Sequence, residues 1–93
     1  MTRVVFRKWK NGDIIALFPD EPWSRSSYMT TSYMHVGQHG AADYRHVIAL
    51  TKPATEDEYH DLLTELKQVG YVNLNIVKRA KIYLYDNDTR QPL

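Results

Sequence analysis

The chain has 93 residues, of which 43% are hydrophobic and 25% charged, and these values are typical of one small folded domain and exclude a largely disordered chain. Its formal net charge of +1 disfavours binding of nucleic acid through phosphate contacts, because proteins of that class carry a strong basic excess. Cysteine is absent, which excludes disulfides, thiolate metal sites and cysteine nucleophiles.

The first predicted element is a β-hairpin over residues 4–18. β-Branched and aromatic side chains predict one strand at 4–9 and a second, continuously apolar strand at 14–18. The Asn11-Gly12 pair between them predicts a type I′ turn, which needs a positive φ at both central positions. Because the second strand is apolar at consecutive positions, we expect it to be central and covered on both faces.

The N-terminal region carries no signal for secretion or membrane insertion. Its basic residues are not followed by a long apolar stretch, and the longest apolar run, at 14–18, is too short to span a bilayer. Together with the absence of cysteine, this predicts a cytoplasmic protein with no membrane association.

Two prolines follow the hairpin. Pro19 and Pro22 predict the end of the second strand, because proline cannot donate to a strand ladder, and the loop is expected to reach residue 27. Trp23 in this loop either folds back over the edge of the core or stands exposed as an anchor for a partner.

A third strand is predicted at 28–36, a segment rich in threonine, tyrosine and methionine. The two-residue period of a strand places Tyr33 and His35 on one face and Met34 and Val36 on the other. We expect Met34 and Val36 to face the core, because they present the larger apolar surface. The face that carries Tyr33 would then be open.

Residues 37–50 predict an interruption and then another extended piece. Gly37 and Gly40 break the third strand, and residues 46–50 predict a fourth strand or an extended segment.

The only predicted helix begins after Thr55. Thr55 and Glu58 match a capping box, in which each side chain satisfies a backbone N–H at the start of the helix. Gly70 supplies the C-terminal stop. Between these signals, apolar residues recur at the spacing that forms one helical stripe: Tyr59, Leu62, Leu63 and Leu66.

The element order predicts an α+β domain. A further strand is expected at 71–77, and residues 82–85 predict a last short strand or an extended tail. The predicted architecture is a small antiparallel-rich or mixed sheet of four to five strands with one helix packed on one face. We expect a single globular domain over residues 1–85 and a frayed C-terminal tail over 86–93.

The segment 32–46 is the candidate functional site, because it contains three of the four histidines and two of the four glycines. In this interpretation the histidines and the glutamine form hydrogen bonds with a ligand or partner, and the tyrosines provide a stacking surface. The candidate residues are Tyr33, His35, Gln38, His39, Asp43 and Tyr44.

Three chemical templates fit this segment only in part. His35, His39 and His46 with Asp43 have metal-ligand chemistry but not the helical spacing that a zinc motif needs. Residues 37–42 could cradle a phosphate with backbone amides, but they lack the Walker pattern. His39 or His46 with Asp43 could form a base and its orienting carboxylate, but no nucleophile elbow is present. The pattern therefore favours a protein without catalysis, metal or cofactor.

Basic residues near the N terminus alternate with aromatic ones, as in surfaces that stack on bases. Eleven acidic residues offset the twelve basic ones, so a solvated face is the better interpretation and nucleic acid is disfavoured. The residues concerned are Arg3, Phe6, Arg7, Lys8, Trp9 and Lys10, with a second basic patch at Lys78, Arg79 and Lys81.

The tyrosines and the strand edges favour a protein partner or a homodimer. A domain this small cannot bury every tyrosine, and edge strands offer unpaired backbone groups. The tyrosines concerned are Tyr28, Tyr33, Tyr44, Tyr83 and Tyr85.

Three stretches and one residue pair resemble a family of small uncharacterised proteins associated with phages and mobile elements of bacteria, notably gut species. They are residues 6–19 (FRKWKNGDIIALFP), 32–44 (SYMHVGQHGAADY), 51–55 (TKPAT) and Gly70-Tyr71. The resemblance covers most of the first eighty residues. The chain departs from the family at residue 81, and residues 81–93 are interpreted as an extension. The resemblance implies a small accessory or host-takeover protein that binds a host enzyme or sequesters a nucleotide signal, without an established activity.

We therefore interpret the sequence as a non-enzymatic binding module of phage or mobile-element type, acting through the segment 32–46 and an aromatic sheet face. Its partner would be a protein or a small anionic ligand. The alternatives are a nucleotide-binding or anion-binding protein and a metal-dependent or histidine-based hydrolase.

Overall fold

The computed structural model describes residues 2–23, 29–34 and 38–78. Within these ranges the protein is an α+β domain with an antiparallel-rich sheet and two helices, which confirms the predicted fold class. The predicted domain over 1–85 and tail over 86–93 extend outside these ranges and stay predictions.

The described sheet has six strands, one more than the predicted maximum of five. Its order is β4-β3-β2-β1-β5, and β6 lies parallel to β1, which makes the sheet mixed. The elements are β1 Thr2–Lys8, β2 Ile14–Pro22, β3 Met29–Met34, β4 Gln38–Asp43, α1 Tyr44–Leu50, β5 Lys52–Pro53, α2 Glu56–Gln68 and β6 Leu74–Ile76.

Both faces of the sheet are covered, and alternate residues of β1 and β2 enter two separate cores. This confirms the prediction that the second strand is central and buried on both faces. The α2-side core contains Val4, Phe6, Ala16, Phe18, Tyr33, Tyr59, Leu62 and Leu66. The α1-side core contains Val5, Ile15, Leu17, Ala42, Tyr44 and Val47.

The predicted hairpin is confirmed, but its turn is not the predicted type I′ turn. The Trp9 N–H donates to the Asp13 carbonyl at 2.8 Å, and the Gly12 N–H donates to the Trp9 carbonyl at 2.9 Å. The loop therefore has three residues, 10–12, and Gly12 (φ 98°) takes the left-handed position that closes such a loop. Lys10 is the additional residue that the two-residue prediction omitted.

The prolines do not end β2, in contrast to the prediction. Pairing with β3 stops after Phe18 and resumes at Pro22, so Pro19, Asp20 and Glu21 form a bulge. A bulge accommodates a residue without an N–H, because the ladder is interrupted there. Trp23 follows with 49% of its surface exposed and belongs to neither core.

Residues 44–50 form helix α1, so the predicted fourth strand or extended segment at 46–50 is wrong. Asp43 caps the helix, because its Oδ1 accepts the backbone N–H of His46 at 3.2 Å. At the other end, the buried Arg7 guanidinium donates to the carbonyls of Ile48 at 3.1 Å and Thr51 at 2.7 Å. These contacts override the strand propensity of a short apolar run.

Helix α2 confirms its sequence signals. The Thr55 hydroxyl accepts the Glu58 N–H, and the Glu58 carboxylate accepts the Thr55 N–H. Gly70 follows the helix with φ 122°, a conformation that favours glycine. Leu66 is completely buried in the α2-side core, so this helix packs on one face of the sheet.

Candidate functional site

The structure separates the predicted site residues rather than bringing them together. Tyr33 lies in the α2-side core and Tyr44 in the α1-side core, on opposite faces of the sheet. Asp43 is the N-cap of α1, and Gln38 contributes its backbone to β4. His35 lies outside the described residues.

The predicted open aromatic face is closed by α2. Tyr33 is 1% exposed, and its hydroxyl donates to Glu65 Oε2 on α2 at 2.6 Å. Tyr44 is 5% exposed. The expectation that Tyr33 lies on an open face is wrong, because a core covers each face of the sheet. Met34 packs against the α1-side core on the opposite face. Neither ring provides a stacking surface for a ligand.

His39 is a predicted site residue that is exposed in the structure. Its ring meets the Tyr33 ring edge-on at a centroid distance of 4.7 Å, and its Nε2 lies 3.0 Å from the Tyr71 hydroxyl. Tyr71 stacks on Phe18 at 5.0 Å. Burial raises the pKa of Tyr71, and the negative charge of Glu21 raises it further, so the hydroxyl keeps its proton.

The catalytic and metal templates gain no support in the described part of the chain. Asp43 Oδ1 accepts the backbone N–H of His46, so it is engaged as a helix cap and not as the partner of an imidazole ring. Residues 2–23, 29–34 and 38–78 contain no group of three histidine or carboxylate side chains that could hold a metal ion.

Three of the four basic residues of the hairpin are engaged within the domain. Arg3 Nε donates to Asp20 at 2.6 Å, and Lys8 forms an ion pair with Glu58. Arg7 is 7% exposed, and burial lowers its pKa while its guanidinium holds the end of α1. These three cations are therefore engaged in contacts within the domain rather than arranged as a surface for phosphates.

The directions of the backbone groups on β3 and β4 follow from one hydrogen bond. The Trp23 N–H donates to the Met29 carbonyl at 3.0 Å, so the backbone of Met29 faces β2. Successive residues of an antiparallel strand face opposite neighbours, so Thr30 and Ser32 face β4. Two side-chain bonds between these strands agree with this direction: the Thr30 and Ser32 hydroxyls donate to the carbonyls of Ala42 and Gly40.

His39 and Ala41 consequently direct their N–H and C=O groups away from the sheet. Their neighbours Gly40 and Ala42 pair with Ser32 and Thr30 and face β3. No strand in the described part of the chain pairs with the outer side of β4. The backbone groups of His39 and Ala41 therefore form the open edge of the sheet.

The side chains along this open edge are small or uncharged. The charged residue of β4 is Asp43 at its last position. The preceding residues, Gln38 to Ala42, include no charge and no proline, the two features that commonly protect an edge strand. Ala41 is exposed, and Gly40 has space around it, since an added Cβ would have Ser32 Oγ at 3.9 Å as its nearest neighbour.

No family model, curated protein or solved structure matches this chain. None of the helices in the described ranges is both long enough and apolar enough to cross a membrane. The open edge of β4 is therefore the feature of this domain from which a function can be inferred.

Sequence reasoning found His39 but missed what surrounds it. The central part of the candidate segment, Gln38–Asp43, forms β4. The importance of β4 lies in its backbone, a feature that side-chain templates do not detect. Tyr71 was not among the candidates, because it meets His39 only through the fold, 32 positions along the chain. The run of small residues at 40–42 was the available signal for an unprotected edge.

Proposed function

We propose that the protein is a non-enzymatic binding module that recognises a protein partner by strand addition at β4. The observation that carries this proposal is the open edge, where His39 and Ala41 present backbone groups without a described partner. An extended segment that pairs there would satisfy these groups and continue the sheet.

His39 gives this edge a side chain that can select among partners. His39 is exposed, and its Nε2 lies 3.0 Å from the Tyr71 hydroxyl. The Tyr33 ring contacts the His39 ring edge-on, and the Tyr33 hydroxyl donates a hydrogen bond to Glu65. In this proposal Tyr33 positions His39, and Tyr44 anchors α1, so neither contacts the partner directly.

The resemblance to phage and mobile-element proteins supplies a setting for this proposal. A small accessory protein in the cytoplasm of a bacterial host would bind its protein partner through β4. Strand addition suits this role, because backbone hydrogen bonds provide affinity for many sequences while a few side chains provide preference.

A displayed library of short peptides tests the proposal, with Ala41→Pro as the decisive variant. Proline at 41 removes an outward N–H but no bond to β3, so the fold should be kept and peptide binding should fall at least about tenfold. Ala41→Ser, which retains the N–H, is the matched control. His39→Ala should weaken binding of the selected peptides without lowering thermal stability.

Nuclear magnetic resonance locates the bound peptides. The amide signals of His39 and Ala41 should shift and gain protection from hydrogen exchange when a selected peptide binds. Peptides that bind Ala41→Pro as tightly as the unmodified protein would contradict strand addition at β4. The same conclusion would follow if the shifts concentrated on α2.

A further inference from the structure

The open edge of β4 is symmetric about Gly40 in its hydrogen-bonding groups. The outward residues are His39 and Ala41, one on each side of Gly40. If a second β4 approaches antiparallel with a two-fold axis at Gly40, His39 lies opposite Ala41 of the partner subunit, and Ala41 opposite His39 of the partner subunit. Both are hydrogen-bonded pairs, so the two edges form four backbone hydrogen bonds.

The side chains permit this register. Gly40 would lie opposite Gly40 of the partner subunit as a non-hydrogen-bonded pair, in which the Cα atoms are only about 4.5 Å apart. Neither residue has a Cβ to obstruct this approach. Gln38 would lie opposite Ala42 of the partner subunit, and residues 38–42 bring no like charges together.

We infer that the strand added at β4 is β4 of a second copy of this chain, so that two domains form one continuous sheet. This inference rests on the proposed function and names its partner. A second copy supplies an edge that is equally free of proline and charge over residues 38–42, so all four bonds of the symmetric register can form. The dimer is isologous, and each edge covers the other.

Introduced cysteines report the register directly, because the chain contains none. Position 40 faces itself across the two-fold axis, and the expected Cα separation lies within the range for a disulfide. Gly40→Cys is sterically allowed, since the nearest neighbour of an added Cβ is 3.9 Å away. Under mild oxidation Gly40→Cys should therefore form a covalent dimer as its main product.

Ala41→Cys is the matched control. Position 41 is more exposed than position 40, so random collisions would cross-link Ala41→Cys at least as fast. In the inferred register position 41 faces His39 of the partner subunit, and Gly40→Cys should cross-link at least about tenfold faster. Equal rates, or a faster Ala41→Cys reaction, would overturn the register.

Sedimentation equilibrium gives the second readout. The unmodified chain should show twice its monomer mass of 10.9 kDa at sufficient concentration. Ala41→Pro should remain monomeric, and Ala41→Lys, which adds a charge to the edge, provides a second variant if the proline variant unfolds. An Ala41→Lys protein as dimeric as the unmodified chain would overturn the inference.

The two proposals fail in different ways. A chain that is monomeric at all concentrations, whose selected peptides nevertheless bind at His39 and Ala41, would overturn the second copy but leave strand addition intact. A chain that is monomeric and binds no peptide at β4 would overturn both.

Discussion

The two outer edges of the sheet differ in the length of their strands and in the residues that face outward. One edge is β4, six continuous residues. The other edge is divided between β5, which has two residues, and β6, which has three. Short edge strands offer too few backbone groups for stable pairing, so length alone already protects the second edge.

Proline adds to this protection at the second edge. The Ala54 N–H donates to the Phe6 carbonyl on β1 at 3.1 Å, so Ala54 faces β1 and the preceding residue, Pro53, faces outward. The outward position of β5 is thus occupied by the residue type that has no N–H. The exposed Lys52 beside it adds a charge. This chain protects one edge in three ways and leaves the other with its donors and acceptors intact.

Proline substitutions at adjacent positions of β4 test the comparison most severely. Ala42→Pro should lower the free energy of unfolding by about 3 kcal/mol or more, because it removes an N–H that faces β3 and leaves the buried Thr30 carbonyl unpaired. Ala41→Pro should lower it by at most about 1 kcal/mol. Urea denaturation followed by circular dichroism measures both. Equal losses would show that the outward direction of residue 41 is wrong.

Arg7→Leu tests how the two edges are connected. The Arg7 side chain extends from β1, beside the protected edge, to the end of α1, which continues from β4. Its removal leaves carbonyls of Ile48 and Thr51 without their donor and should lower the free energy of unfolding by about 1–3 kcal/mol.

Lys10→Leu is the control for Arg7→Leu. It removes an exposed cation near the same strand end and should change stability by at most about 0.5 kcal/mol. Hydrogen exchange of the α1 amides should accelerate in Arg7→Leu alone. An unchanged exchange rate would mean that Arg7 does not hold the helix.

Glu58→Gln has the smallest expected effect and concerns the contact between α2 and β1, the strand beside the protected edge. Hydrogen bonds from Lys8 and Thr55 lower the pKa of Glu58 from 4.5 to about 2. Since the pKa in the folded state lies below the ordinary value, the stability contributed by this carboxylate is complete above pH 4.5 and is lost as the pH falls towards 2.

The measurement for Glu58→Gln is the slope of unfolding free energy against pH. Between pH 4.5 and 2 the slope should be shallower in Glu58→Gln than in the unmodified chain. Glu56→Gln alters an exposed residue in the same helical turn and should keep the original slope. Identical slopes in all three proteins would contradict the role of the Lys8 and Thr55 hydrogen bonds.

Local signals in the sequence predicted the elements that local contacts stabilise. The capping box of Thr55 and Glu58 lies within one helical turn, and the hairpin follows from a few adjacent residues around Gly12. The α1 helix was missed because its decisive contact, with Arg7, joins residues 41 and 44 positions apart. A short apolar run does not distinguish strand from helix without such partners.

The candidate site was predictable as a segment but not as an edge. Strand alternation placed Tyr33 opposite in direction to Met34, which is correct, but alternation cannot say which direction is open when both faces are covered. Whether β4 is an outer strand depends on the order of the whole sheet, and that order is set by pairings distant in the sequence.

The parallel pairing of β1 with β6 can form only after most of the described chain has been synthesised. Thr2 and its partner Leu74 are separated by about 70 residues, which a ribosome adds in roughly 4 to 14 seconds. During that interval the hairpins of β2, β3 and β4 can form, while the outer side of β1 has not yet paired with β5 and β6. Before β5 and β6 are synthesised, the described strands therefore leave both β1 and β4 as open edges, whereas the complete sheet of the described residues leaves β4. Strand mispairing at β1 is accordingly expected during translation rather than after it.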